Sequence, residues 1–144
     1  MRRVVPFIML VFLNAACSDK IFTGNVNCDD CYTDKPQNVD LIIEVTLSGE
    51  YPEVPIAVYQ GNVEDDLVIS RDTVREDNNP YYLLVTPDKR YSVIATYAKT
   101  GSVLYAVDGT KPRILKVTDA CDSECYVIED VRLNVRVKKA YLGY

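Results

Sequence analysis

The stretch Val131-Arg132-Leu133-Asn134-Val135-Arg136-Val137-Lys138 decides the fold class. Every second residue is apolar, and the residues between them are cationic or amide-bearing. Successive side chains on a strand point to opposite faces, so this period of two describes a strand with one buried and one wet face. The same pattern recurs upstream. Leu41, Ile43, Val45 and Leu47 alternate with Glu44, Thr46 and Ser48, and Val54, Ile56 and Val58 form a second short run that ends at Gly61. Glu64-Asp65-Asp66 reads as a turn, after which Leu67 and Ile69 open another strand.

Arg75 to Pro80 is a loop by composition, since Asp, Asn and Pro each favour turn geometry. Tyr81 to Thr86 resumes as a strand, and Pro87-Asp88-Lys89 turns it. Tyr91, Val93, Ala95 and Tyr97 then alternate inward, Lys99 to Ser102 turns the chain at Gly101, and Val103, Tyr105 and Val107 carry the return strand. Asp108-Gly109 is a second turn signal. Ile114 to Thr118 is a shorter strand, and no stretch of comparable length has helical spacing. Seven or eight short strands with polar turns predict an all-β fold, an antiparallel sandwich.

The amino-terminal end carries a different signal. Met1-Arg2-Arg3 is basic, Val4 to Leu13 is an apolar run, and Ala15-Ala16 precede Cys17. A secretory signal needs a positive start, about 7–15 apolar residues and small residues at the cut. Leu13-Asn14-Ala15-Ala16-Cys17 resembles the lipobox of bacterial lipoproteins, in the looser form found in Bacteroidota, with Asn14 where the usual pattern has Leu. The resemblance implies a signal peptide over residues 1–16, removed before Cys17, and a diacylglycerol on the Cys17 thiol. Two or more acyl chains anchor a protein stably to a membrane. Residues 17–37 then read as a lipid-anchored tether pinned only at Cys28 and Cys31, and residues 38–144 as the β-sandwich domain. Ser18-Asp19-Lys20 partly resembles the surface-export signals of such lipoproteins, which places the expected location at the outer membrane, facing either the periplasm or the cell surface.

The strand region from about Val39 to Lys138 is similar to the transthyretin-like, carboxypeptidase-regulatory-like Greek-key sandwiches. The carrying stretches are Val54 to Gly61, Tyr91 to Tyr97 and Asp130 to Asn134. The resemblance implies a prealbumin-like accessory module and no particular chemistry. Pilin-type relatives cross-link a first-strand lysine to a last-strand asparagine. Asn134 could pose as the asparagine, but no lysine lies between Val39 and Ser48.

Composition excludes several function classes. Without Arg2 and Arg3 the chain keeps 14 basic against 21 acidic side chains, a formal charge of −7. An acidic domain with no basic stripe is no partner for nucleic acid. There is no histidine. That removes the commonest general base and, with it, Ser-His-Asp and Cys-His catalysis. Tryptophan is absent and tyrosine occurs eleven times.

The pairs Cys28/Cys31 and Cys121/Cys125 hold the remaining chemistry. In an exported chain an even cysteine count reads first as disulfides. Local pairing would close two short loops. Cross-pairing would staple the tether to the turn before the final strand and would constrain the unfolded chain by about 4–5 kcal/mol for one loop of about 90 residues. Both are geometrically open, and the longer loop tips the reading to cross-pairing. A four-cysteine zinc site is the second reading and a reactive CxxC the third, although Asp29 and Asp30 between the sulfurs oppose a lowered thiol pKa. The acids at Glu64-Asp65-Asp66 and Glu76-Asp77 lack the spacing of a calcium loop and read as solvated turns. Tyr59, Tyr82 and Tyr97 are candidates to present rings to a sugar or protein partner, and only one of Tyr81 and Tyr82 can face the core.

The expectation is therefore a non-enzymatic, lipid-anchored envelope module without cofactor or metal, acting by binding or scaffolding. The alternative is a surface glycan-binding accessory lipoprotein, and a thiol oxidoreductase stands third.

Overall fold

The structure, a computed structural model, describes residues 27–118 and 121–137. The expected signal peptide and lipidation site, residues 1–17, with Ser18 to Lys20 and Lys138, lie outside the described residues. Nine strands form among the described residues, in chain order: β1 Val39–Glu44, β2 Val54–Gln60, β3 Val68–Val74, β4 Tyr81–Val85, β5 Tyr91–Lys99, β6 Ser102–Thr110, β7 Arg113–Val117, β8 Cys125–Glu129 and β9 Arg132–Asn134. Among the described residues there is no α-helix, as the period-two pattern predicts.

One sheet has the order β4-β1-β9 and a second the order β3-β2-β5-β6, while β7 and β8 make a separate ribbon. The two larger sheets face one another across a single apolar cluster. Leu41 and Ile43 of β1, Val85 of β4 and Leu133 of β9 meet Val54, Ile56 and Val58 of β2 and Tyr91, Val93, Ala95 and Tyr97 of β5. Each fully buried aliphatic side chain of this set contributes about 1.5–3 kcal/mol. Tyr97, only 1% exposed, joins the two halves. Its hydroxyl donates to the Val135 carbonyl at 2.7 Å and accepts from the Thr46 amide at 2.9 Å, and its ring meets Tyr51 edge-on at 5.2 Å.

The all-β sandwich-like architecture and the inward positions expected for β1, β2 and β5 are those found. Four details differ. First, β9 runs parallel to β1, with Ile42 opposite Arg132 and Ile43 opposite Leu133, so the sandwich is not antiparallel throughout. Alternation fixes which face a side chain takes and leaves the strand direction open. Second, Cys125–Glu129 forms β8, a strand not assigned from the sequence, which brings the described strands to nine where seven or eight were expected.

Third, Val103, Tyr105 and Val107 are exposed by 54%, 64% and 58%. The tight turn at Thr100-Gly101, with Gly101 at φ +82°, sets Lys99 opposite Ser102. Directly paired residues share a face. Buried Tyr97 and Ala95 therefore bring Leu104 and Ala106 inward and send the other row to solvent. Asp108-Gly109 is consequently no turn, lying inside β6, where Asp108 accepts hydrogen bonds from the amides of Gly109 and Asn134. Fourth, β3 starts at Val68, and the residues read as its opening, Leu67 and Ile69, are both exposed on an edge of the sheet.

Candidate functional site

The two cysteine pairs cross-link. Cys28 joins Cys121 with Cα atoms 5.8 Å apart, and Cys31 joins Cys125 at 5.6 Å, over separations of 93 and 94 residues. The sulfurs of Cys31, Cys121 and Cys125 all lie within 4.8 Å of one another, so the bridges stand side by side. Paired in this way the sulfurs carry no thiolate to ligate zinc. Neither short motif closes on itself, so the dithiol geometry of a CxxC oxidoreductase is not formed.

The stapled segment is more than a tether pinned at two sulfurs. Cys28 to Asp30 makes one 3₁₀ turn, capped by the Asn27 side chain accepting from the Asp29 amide. Tyr32 and Tyr126 then exchange both backbone hydrogen bonds, at 2.9 and 2.8 Å. The segment is thereby joined to β8 by a single antiparallel bridge.

This addition builds a groove of about 500 Å³. Its floor is the outer face of the β4-β1-β9 sheet, represented by Asp40, Ile42 and Tyr82. One wall is Asn27, Asp30 and Tyr32 from the stapled segment. The other is Val127, Ile128, Glu129 and Val131 from β8 and the link to β9. The size is that of a small-ligand cleft. Tyr82 is 59% and Tyr32 51% exposed, so two rings stand partly free at its margin.

The charge of the lining is one-sided. It contains three carboxylates and no basic side chain. Asp30 accepts from the Asn27 side-chain amide at 2.8 Å. Glu129 meets Arg113 at 3.5 Å, but that guanidinium lies closer to Asp130, at 2.6 Å. The Asp40 carboxylate has no hydrogen bond or ion pair to any described residue, and the residue stands exposed.

Of the sequence candidates, the structure brings Tyr82 alone of the three tyrosines into this site. Tyr97 is a core residue with both hydroxyl partners internal and has no ring face for a ligand. Tyr59 is 8% exposed, lying between Ser92 and Val68 in the second sheet. Both are corrections, with different causes. Tyr97 shares the inward row of Val93 and Ala95 on β5, whereas Tyr59 lies in the opposite row of β2 from Val54, Ile56 and Val58 and is flanked there by strands on both sides. Tyr82 takes the outward row of the edge strand β4. The expected split between Tyr81 and Tyr82 is observed, with Tyr81 packing against the core. Tyr32, Asp30, Asp40 and Glu129 were missed by sequence reasoning. The proximity of Asp30 and Tyr32 to Cys31 was the one available signal, and its use required the disulfide pairing.

The other acidic clusters build their own turns. Asp65 accepts from the Asn62 amide at 2.7 Å to cap the 3₁₀ turn Val63–Asp65, and Glu76–Asn78 forms another exposed turn. Asn134 is exposed on the outer face of β9 and is no isopeptide partner. No helix among the described residues is long and apolar enough to cross a membrane. Compared with models of protein families, characterised proteins and solved structures, the chain has no significant match.

Proposed function

We propose that the protein is a non-enzymatic binding module of the bacterial cell envelope, held to the outer membrane by acyl chains on Cys17, and that the groove over the β4-β1-β9 sheet is where it engages its partner. The observation that carries this reading is the use made of the two bridges. Both hold one short segment, residues 27–32, against β8 as a wall of the groove. The bridges also suit an oxidising compartment, in keeping with export. A rigid wall lowers the ordering cost of binding.

Two experiments test the two parts. Fractionation of cells expressing Cys17→Ala should release the protein from the membrane, and continued membrane attachment with normal signal removal overturns the anchor. Amide chemical-shift mapping against a panel of oligosaccharides and short peptides should cluster shifts at Tyr32, Asp40, Tyr82 and Glu129. Shifts clustered on the β3-β2-β5-β6 sheet instead would overturn the groove.

The exposed rings of Tyr32 and Tyr82 beside carboxylates favour a second reading, a surface glycan-binding accessory, since tyrosine offers both an apolar face and a polar tip. A glycan array on which the wild type has hits that Tyr82→Ala loses would support it, and an array without hits would count against it.

A further inference from the structure

We infer that the groove is selective for a long-stemmed cation, presented as a lysine or arginine side chain of an extended peptide segment of a partner protein. The inference rests on the groove being the binding site and adds the chemical class of its occupant. Charge is the first argument. The lining holds Asp30, Asp40 and Glu129 and no basic residue, and Asp40 lies on its floor without a partner among the described residues. An unpaired carboxylate on the floor of a groove with no basic lining is met best by an incoming ammonium or guanidinium, whereas an anionic ligand is repelled.

The second argument is the apolar bed beside that carboxylate. In the sheet register Asp40 is opposite Leu84 and Ile42 is opposite Tyr82. Leu84 is 64% and Tyr82 59% exposed, so a surface of one leucine and one ring adjoins the Asp40 carboxylate. Lysine and arginine have the matching form, an alkyl stem that packs on apolar surface and a charged head beyond it. The rings of Tyr82 and Tyr32 can also face the cation. A peptide is the source the fold favours, because β4 pairs only with β1 among the described residues and leaves its other edge for a strand to lie along.

The test uses the disulfide-intact protein and fluorescence anisotropy with three probes: a labelled tetralysine peptide, the same peptide with every side chain acetylated, and a labelled neutral oligosaccharide. Tetralysine should bind and weaken as salt is raised, and the acetylated peptide should not bind. Asp40→Asn and Tyr82→Ala should each weaken tetralysine about three- to fivefold. Glu64→Gln, which removes the same charge from an exposed turn outside the groove, should leave it unchanged. Circular dichroism melting should show all three variants folded. Equal losses for Asp40→Asn and Glu64→Gln would mean attraction by net charge alone and overturn the inference, as would no tetralysine binding or equal binding of the acetylated peptide. Oligosaccharide binding that Tyr82→Ala abolishes and Asp40→Asn leaves intact would keep the groove as the site and overturn the cation.

Discussion

Removing the disulfides one at a time should reveal that they are not independent. Each closes a loop of 93 or 94 residues when considered alone, which in the chain-entropy model constrains the unfolded chain by about 4.7 kcal/mol. They interleave along the chain, however. With Cys28–Cys121 closed, the path from Cys31 to Cys125 through that bridge is only about seven residues, and the second bridge adds about 2.4 kcal/mol. The Cys31→Ser/Cys125→Ser variant should therefore lose about 2–2.5 kcal/mol, the Cys28→Ser/Cys121→Ser variant the same, and the fourfold serine variant about 7 kcal/mol. Urea unfolding followed by far-ultraviolet circular dichroism measures all three. A loss near 4.7 kcal/mol in each double variant, summing to the fourfold loss, would refute this coupling between the interleaved loops. A mass-mapped Cys28–Cys31 bridge would refute the pairing itself.

The inverted phase of β6 predicts that Val93→Ala, in the core, costs about 2 kcal/mol, whereas Val107→Ala, in the adjacent strand, stays within about 0.5 kcal/mol on denaturation. Tyr97→Phe leaves the Val135 carbonyl and Thr46 amide without their internal partner and should cost about 1–3 kcal/mol in the same assay. Burial raises the Tyr97 hydroxyl above the usual tyrosine value, partly offset by its hydrogen bonds at Thr46, and burial does the same for Tyr91 against its bond to Thr86. The unfolded chain therefore ionises first as pH rises past about 10, so stability present below that pH should fall above it. Thermal melts from pH 8 to 11 would show this decline, and Tyr97→Phe should flatten it. Arg113→Ala, which breaks exposed pairs to Asp130 and Glu129, should cost no more than about 1 kcal/mol.

The sequence by itself determined the strand class and most of the inner face. Leu41, Ile43, Val54, Ile56, Val58, Val93 and Leu133 are legible as core because a period of two needs no knowledge of partners. The Thr100-Gly101 turn is equally local. Its register already implied that Leu104 and Ala106, opposite Ala95 and Tyr97, share their face, although the apolar row Val103, Tyr105 and Val107 suggested otherwise. Tertiary structure decided what depends on residues distant in the chain. The parallel docking of β9 on β1, the burial of Tyr59 but not Tyr82, and the choice among cysteine partners are of this kind. The groove is the clearest case. Asp30, Asp40, Tyr82 and Glu129 lie on four separate segments of chain, and no local pattern links them. Asp30 joins the others because two bridges and one backbone pairing lay the amino-terminal segment beside β8, and each of those contacts links residues more than ninety positions apart in the chain, beyond the reach of any local pattern.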